Sequence, residues 1–515
     1  MKMKKIYLLS LLMLGLAGCE LETEVYDKIN PTVFPKNAAD AKALVTASAY
    51  NVFNPQDYDA LDKNKSNPGI FNVAWGYTLT SDMSTDHVEC SWEWTTVYNS
   101  YEADDWHISG DTRAIYTFNN YLSSMCLAKD RIKDVNMSQD LKERYNAELD
   151  CGMGFLAFLL YDLYGPIPVA DLETLKEPGA EKILPRLTEE QMREYIESHL
   201  LAARNVLPYK YDESEYGRFT KGLANTLLLK FYMKTGEWAK AEEVGRELQK
   251  AEYGYKLVDD YNSIFTLAGE RNTETIFAVI AKRGYMETQW FAHVLPADFP
   301  TSEDIQKWGG YKVSWPFYQS YDKDDKRLQR LYGEYTAADG TVHNYEKDRV
   351  NGKSTSILYY GAVPMKYKVE GVVGYNCEID MPIYRYADVL TLLAEAIVRN
   401  GNKLTQEAVN LLNDVRTRSL PGKGYQLSDF PDVETFLDKL LEERGHEFYM
   451  EGVRRQDLIR HGKFIEYAIK KAEFAGKPTG KIATQVNGHY KYERFPLPPK
   501  VINEGMGLIE QNPGY

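Results

Sequence analysis

Two stretches of this chain, residues 220–250 and 386–418, repeat one pattern: two runs of apolar residues at helical spacing, separated by a turn that contains glycine. In the first stretch Leu223, Leu227, Leu228 and Phe231 fall on one stripe, Gly236 marks the turn, and Trp238, Ala241, Val244 and Leu248 form the returning stripe. In the second, Val389, Leu390, Leu393 and Ile397 precede a turn at Gly401, and Ala408, Leu411, Leu412 and Val415 follow it. Apolar residues recurring every three or four positions describe one face of a helix. A helical pair cannot bury that face alone, so such pairs must stack on their neighbours. The constraint is therefore a mainly α-helical body. Further helices are expected over 38–53, 140–163, 188–207 and 433–450. Thr188 and Gln191 give the third of these a capping box, ahead of a stripe of Met192, Tyr195, Ile196, Leu200, Ala203 and Leu207.

The two hairpins, with their turns and alanine spacing, resemble tetratricopeptide units, which stack into a right-handed scaffold. Between the helical stretches, residues 54–116 and 266–382 are rich in Gly, Pro, Asn, Asp and aromatics and are too long for simple connections. Long irregular insertions on a rigid frame are where binding residues concentrate. No composition break marks a linker, so residues 24–515 read as a single domain.

Those insertions hold seven of the eight tryptophans: Trp75, Trp92, Trp94 and Trp106 in the first, Trp290, Trp308 and Trp315 in the second. Tyr outnumbers Phe by 39 to 19, which favours aromatic surfaces that tolerate water at one edge. From Ser91 to Trp106 the string SWEWTTVYNSYEADDW interleaves rings with carboxylates, amides and hydroxyls. That mixture suits a pyranose, whose C–H face lies on an aromatic plane while its rim hydroxyls meet polar groups. The candidate ligand-binding residues are Trp92, Trp94, Tyr98, Trp106, Trp290, Trp308, Tyr311 and Trp315. Trp75, among apolar neighbours, reads as core.

The chain has 61 basic and 75 acidic residues and a formal charge of −14, a field that repels polyanions and argues against nucleic acid. Met1 to Cys19 form a leader, with Lys2, Lys4 and Lys5 ahead of an apolar run from Ile6 to Leu16. At about 11 residues that run is too short to span a bilayer, and it has the form of a secretory signal. LAGC at Leu16 to Cys19 resembles a lipobox, so residues 1–18 are expected to be removed and Cys19 to carry the lipid anchor. Residues 19–23, with Glu20 and Glu22, form a short tether, and two or more acyl chains would hold the domain stably at the membrane. The remaining Cys90, Cys126, Cys151 and Cys377 are far apart without a CxxC pair, which predicts free, mostly buried thiols and no zinc site.

Catalytic patterns fail on inspection. HEFYM at His446 to Met450 lacks the second histidine of a zinc-protease helix. GMGFLA from Gly152 lies inside a helical stretch instead of opening one after a strand. NGKST at Asn351 has Lys347 where a P-loop needs its first glycine. No cofactor, metal or enzymatic activity is implied, although a glycosidase needs only two carboxylates.

Several strings, in order along the chain, resemble the SusD/RagB family of outer-membrane lipoproteins. They are TSD at Thr80 to Asp82, ELDCGMGFLAFLLYDLYGPIPVA from Glu148, GRFTKGLANTLLLKFYMKTGEWAKA from Gly217, YRYADVLTLLAEA from Tyr384, NDVRTR from Asn413, ERGHEFYMEGVRRQDLIRHGKF from Glu443 and the terminal QNPGY. The resemblance implies a SusD-like fold and a non-enzymatic, lipid-anchored protein on the exterior of the outer membrane. Such a protein captures oligosaccharide and delivers it to a SusC-like TonB-dependent transporter. Peptide capture, as in the RagB branch, and an unrecognised glycoside hydrolase are the alternatives. Arg454, Arg455 and Asp457 are expected to form structural ion pairs. Cys151 and Gly152 depart from the Ala and Arg more usual in the family.

Overall fold

The computed structural model describes residues 34–56, 68–92, 115–177, 182–301, 304–345, 347 and 357–515. The leader, Cys19 and the tether lie outside them, as do Trp94, Tyr98 and Trp106. The architecture is mainly helical, as the hydrophobic periodicity requires. Thr220 caps the first hairpin by accepting the Leu223 N–H at 3.2 Å, and the helix Lys221–Thr235 then runs to Gly236, whose φ of +75° turns the chain into Trp238–Leu248. Leu223, Leu227, Leu228 and Phe231 are fully buried.

The second hairpin pairs Tyr386–Gly401 with Gln406–Ser419. Its turn differs from the expected one by a residue: Gly401 is still helical, and Asn402 takes the left-handed conformation at φ +45°. Asn is the residue other than Gly that tolerates this position, so the glycine was not a unique marker. Helix Glu189–Val206 has both arms of its capping box, the Gln191 N–H to Thr188 Oγ1 at 3.1 Å and the Thr188 N–H to Gln191 Oε1 at 2.9 Å. Residues 38–53 are helical but change pitch, from α (Ala38–Val45) through π (Thr46–Tyr50) to 3₁₀ (Asn51–Phe53).

The helices pack in series. The long helix Gln139–Tyr164 lies between Asn120–Ile132 and Glu189–Val206; Lys221–Thr235 joins Glu189–Val206 to Trp238–Leu248, which meets Tyr386–Gly401. The glycines of the long helix have a packing role. A Cβ on Gly152 would lie 2.7 Å from Met125 Sδ, and one on Gly154 would lie 2.7 Å from Leu200 Cδ2. The roughly 1 kcal/mol helix penalty of each glycine is offset by this close approach, which accounts for the departure at Gly152.

Buried ion pairs tie the irregular insertions to the helices. Arg385 donates to Glu274, Glu447 and Glu451 at 2.6–2.9 Å, and Arg327 to Asp325, Glu443 and Glu447 at 2.7–3.1 Å. Arg454 grips Asp86 with two 2.9 Å bonds, Arg455 meets Asp162 at 2.9 Å, and Asp457 meets Arg444 at 2.8 Å. These residues are buried in the structure as the structural pairs that the sequence suggested. The four cysteines of the described residues are free, with Cys90, Cys151 and Cys377 buried and Cys126 half-buried. Among the described residues, no helix is long and apolar enough to cross a membrane.

Candidate functional site

The two irregular insertions meet through a short antiparallel pair, Val88–Cys90 with Tyr311–Val313, in the register Glu89 to Lys312 and Cys90 to Tyr311. Just beyond this pair the Ser91 N–H bonds to Gly310 O at 3.1 Å, and the Trp92 ring lies flat over Gly310. A Cβ there would come within 2.4 Å of the indole, so only glycine admits Trp92 at this distance.

From Trp92 an aromatic ladder leads outward. Trp92 stands edge-on to Tyr311 at 5.3 Å and to His293 at 5.4 Å between ring centroids. His293 belongs to the short helix Trp290–Val294 and holds Gln289 O through Nδ1 at 2.9 Å. Its ring meets Trp308 edge-on at 5.0 Å, and Trp308 in turn lies nearly parallel to Tyr375, at 6.2 Å and 25°. These are the offset and edge-to-face geometries that aromatic quadrupoles favour.

Backbone bonds fix the outer rungs. The Trp308 N–H donates to Ala292 O at 2.7 Å, and the Gln306 N–H to Gly374 O at 2.8 Å. Tyr375 is at the tip of a two-stranded hairpin, Val372–Val373 with Asn376–Cys377, whose turn residue Gly374 has φ +59°. Trp308 is 41% exposed, Tyr375 and Trp92 are half-buried, and Val373 next to Tyr375 is exposed. The ladder thus ends in a platform of two near-parallel rings, Trp308 exposed and Tyr375 half-buried.

Three of the expected platform residues are not open. Trp290 is buried against Tyr367 at 4.8 Å. Tyr311 is buried with its hydroxyl donating to Ala74 O. Trp315 is stacked on Tyr345 at 3.6 Å and donates from Nε1 to Leu358 O at 2.8 Å. Insertions this long need a core of their own, and these rings supply it. Trp315 contributes only a wall to a separate cavity of about 220 Å³ that Glu89, Tyr359, Tyr360 and Lys471 also line. Trp75 is buried, as expected. Tyr375 and His293 were missed. The string GVVGYN at Gly371 to Asn376, a glycine-flanked hairpin tip ending in an aromatic, was the available signal for Tyr375.

Among the described residues no group of three or more His, Cys, Asp or Glu side chains is arranged to hold a metal ion. The site's chemistry is that of a stacking surface.

The sequence profile of the SusD family matches residues 222–515, more than half of the chain. The chain belongs to the SusD family. The starch-binding protein SusD of Bacteroides thetaiotaomicron is 21% identical over 528 residues, covering 89% of this chain and 88% of that protein. Among solved structures, a SusD homolog from the same species superposes with a TM-score of 0.73 at 20% identity, over 94% of this chain and 98% of the other. Surface glycan-binding protein A of that species, solved in complex with laminarihexaose, superposes with a TM-score of 0.68 at 21% identity, over 92% and 98%. At these identities the likeness to solved structures establishes a shared SusD fold.

Proposed function

We propose that this SusD-family chain is a cell-surface glycan-binding protein that captures oligosaccharide by stacking pyranose rings on Trp308 and Tyr375, without cleaving it. The observation that carries the reading is the open pair of near-parallel rings at the end of a ladder anchored in the core. The named activities of the relatives, starch binding for one and a laminarihexaose complex for another, support the same ligand class. A stacked sugar face contributes on the order of 1–2 kcal/mol. Two or three such contacts, after immobilisation costs, correspond to micromolar to millimolar binding.

In this reading the segment after Trp92 adds Trp94, Tyr98 and Trp106 to the platform. Cys19 carries the lipid that tethers the domain to the outer membrane, facing outward. The captured oligosaccharide passes to a SusC-like TonB-dependent transporter. Calorimetry of the soluble domain against starch- and laminarin-derived oligosaccharides tests the ligand class. Saturable glycan binding is the expected outcome, and binding of peptides with no glycan response would replace the reading.

A further inference from the structure

Lys312 is buried against the backbone that follows Trp308. It is on the strand Tyr311–Val313, is 1% exposed, and its ammonium is satisfied by backbone alone. Nζ donates to Gly309 O at 2.6 Å and Tyr311 O at 3.1 Å, with Val294 O at 3.5 Å. Two of these carbonyls come from the segments that carry the outer rungs of the ladder: Val294 follows the buried His293, and Gly309 follows the exposed Trp308. The turn at Gly309 has φ +65° and runs so close to residues 295–296 that a Cβ would lie 3.1 Å from Leu295 O. Trp308 is thus held through its own N–H on Ala292 O and, one residue later, through the Gly309 carbonyl on Lys312.

A buried cation is normally paired with an anion, because desolvation alone is expensive. Among the described residues Lys312 has no carboxylate partner. Its cross-strand neighbour Glu89 has its carboxylate 4.0 Å from Lys471. The Cys90 thiol lies near it, and the His293 ring is engaged with Gln289 O. A cation kept here, held among the described residues by carbonyl dipoles and the nearby Cys90 thiol, costs stability that an apolar side chain would not.

We propose that Lys312 is the positioning residue of the glycan platform: its ammonium gathers the Gly309 and Val294 carbonyls, fixes the presentation of Trp308, and loosens that grip when it loses its proton. This rests on the platform reading above. Burial pushes the Lys312 ammonium down to about 7, with the nearby Cys90 opposing the shift. Below that pH three charged N–H donors serve three carbonyls; above it a neutral amine has two, without charge assistance.

Global stability moves in the opposite direction. The unfolded lysine keeps its proton to about pH 10.4, so between about 7 and 10 the unfolded chain binds more protons and this group's contribution to stability rises with pH. A residue with only a structural role would not loosen one ring while the whole domain grew firmer.

The experiment is acrylamide quenching of the mature chain without ligand. The Trp308 contribution is isolated by difference from Trp308→Phe and followed from about pH 5.5 to 9, in the wild type and in Lys312→Met. Trp308 quenching is expected to rise through about pH 7 in the wild type and to stay at the high-pH value throughout in Lys312→Met. With laminarihexaose and maltohexaose as probes, affinity at low pH is expected to fall about fivefold in Lys312→Met. A wild-type Trp308 profile that is flat with pH, or a Lys312→Met profile identical to the wild type, overturns the proposal. Because the wild-type titration needs neither a variant of Lys312 nor a sugar, it decides the matter even if Lys312→Met does not fold. If neither probe binds, the platform reading fails while the quenching titration still reports on Lys312.

Discussion

Trp308→Ala and Trp315→Ala should separate binding from stability. A tryptophan side chain presents on the order of 250 Å². With Trp308 41% exposed, about 100 Å² of it faces solvent. A sugar covering half to all of that area at about 25 cal/mol per Å² gains roughly 1.3–2.5 kcal/mol, so Trp308→Ala should weaken oligosaccharide binding about tenfold to seventyfold. Its cost to folding should stay near 1 kcal/mol, since Trp308 is 41% exposed and, among the described residues, its ring pairs are with His293 and Tyr375. Trp315→Ala removes a ring stacked on Tyr345 and leaves the Leu358 carbonyl without its donor. It should cost about 3–5 kcal/mol in urea denaturation, with little change in affinity at temperatures where the variant is folded. Calorimetry and denaturation on both variants provide the comparison. Unaltered affinity in Trp308→Ala, or an equal loss in both variants, would refute the division into platform and core.

Gly310→Ala should force Trp92 off its seat, because the added methyl would lie 2.4 Å from the indole. A loss of about 1–3 kcal/mol, seen in chemical denaturation together with a shift in tryptophan emission, is expected. Asp82 is fully buried, accepts the Gly452 N–H at 3.1 Å through Oδ2, and among the described residues has no hydrogen bond at Oδ1. Burial raises its carboxyl to about 8. The unfolded form ionises near pH 4, so this group lowers stability as pH rises from about 4 to about 8, by at most about 1.4 kcal/mol per unit, and not beyond. Asp82→Asn should flatten the stability profile over that window, as thermal denaturation at a series of pH values would record.

The helical frame was legible because its signals are local. The stripe of Leu223, Leu227 and Phe231, the cap at Thr188 and the left-handed Gly236 each act within a turn or two of chain. The exposure of the aromatics was not legible, because long-range partners decide it. Trp315 is buried by Tyr345, thirty residues away, and Tyr311 by Ala74, more than two hundred residues away. Polar neighbours in the sequence say little about either contact. Trp308 stays exposed with its backbone tied to Ala292 and, among the described residues, its ring against the edge of His293 and nearly parallel to Tyr375. Gly310 shows the same limit from the other side: nothing in the string GGYKV marks it as the seat of an indole more than two hundred residues earlier.

The most direct test of the central claim is a crystal structure of the mature domain with a bound oligosaccharide from the starch or laminarin series. A pyranose ring lying parallel to the Trp308 indole at about 4 Å, with Tyr375 beside it, is the predicted result. An oligosaccharide bound elsewhere on the domain, with the Trp308 face bare, would contradict it.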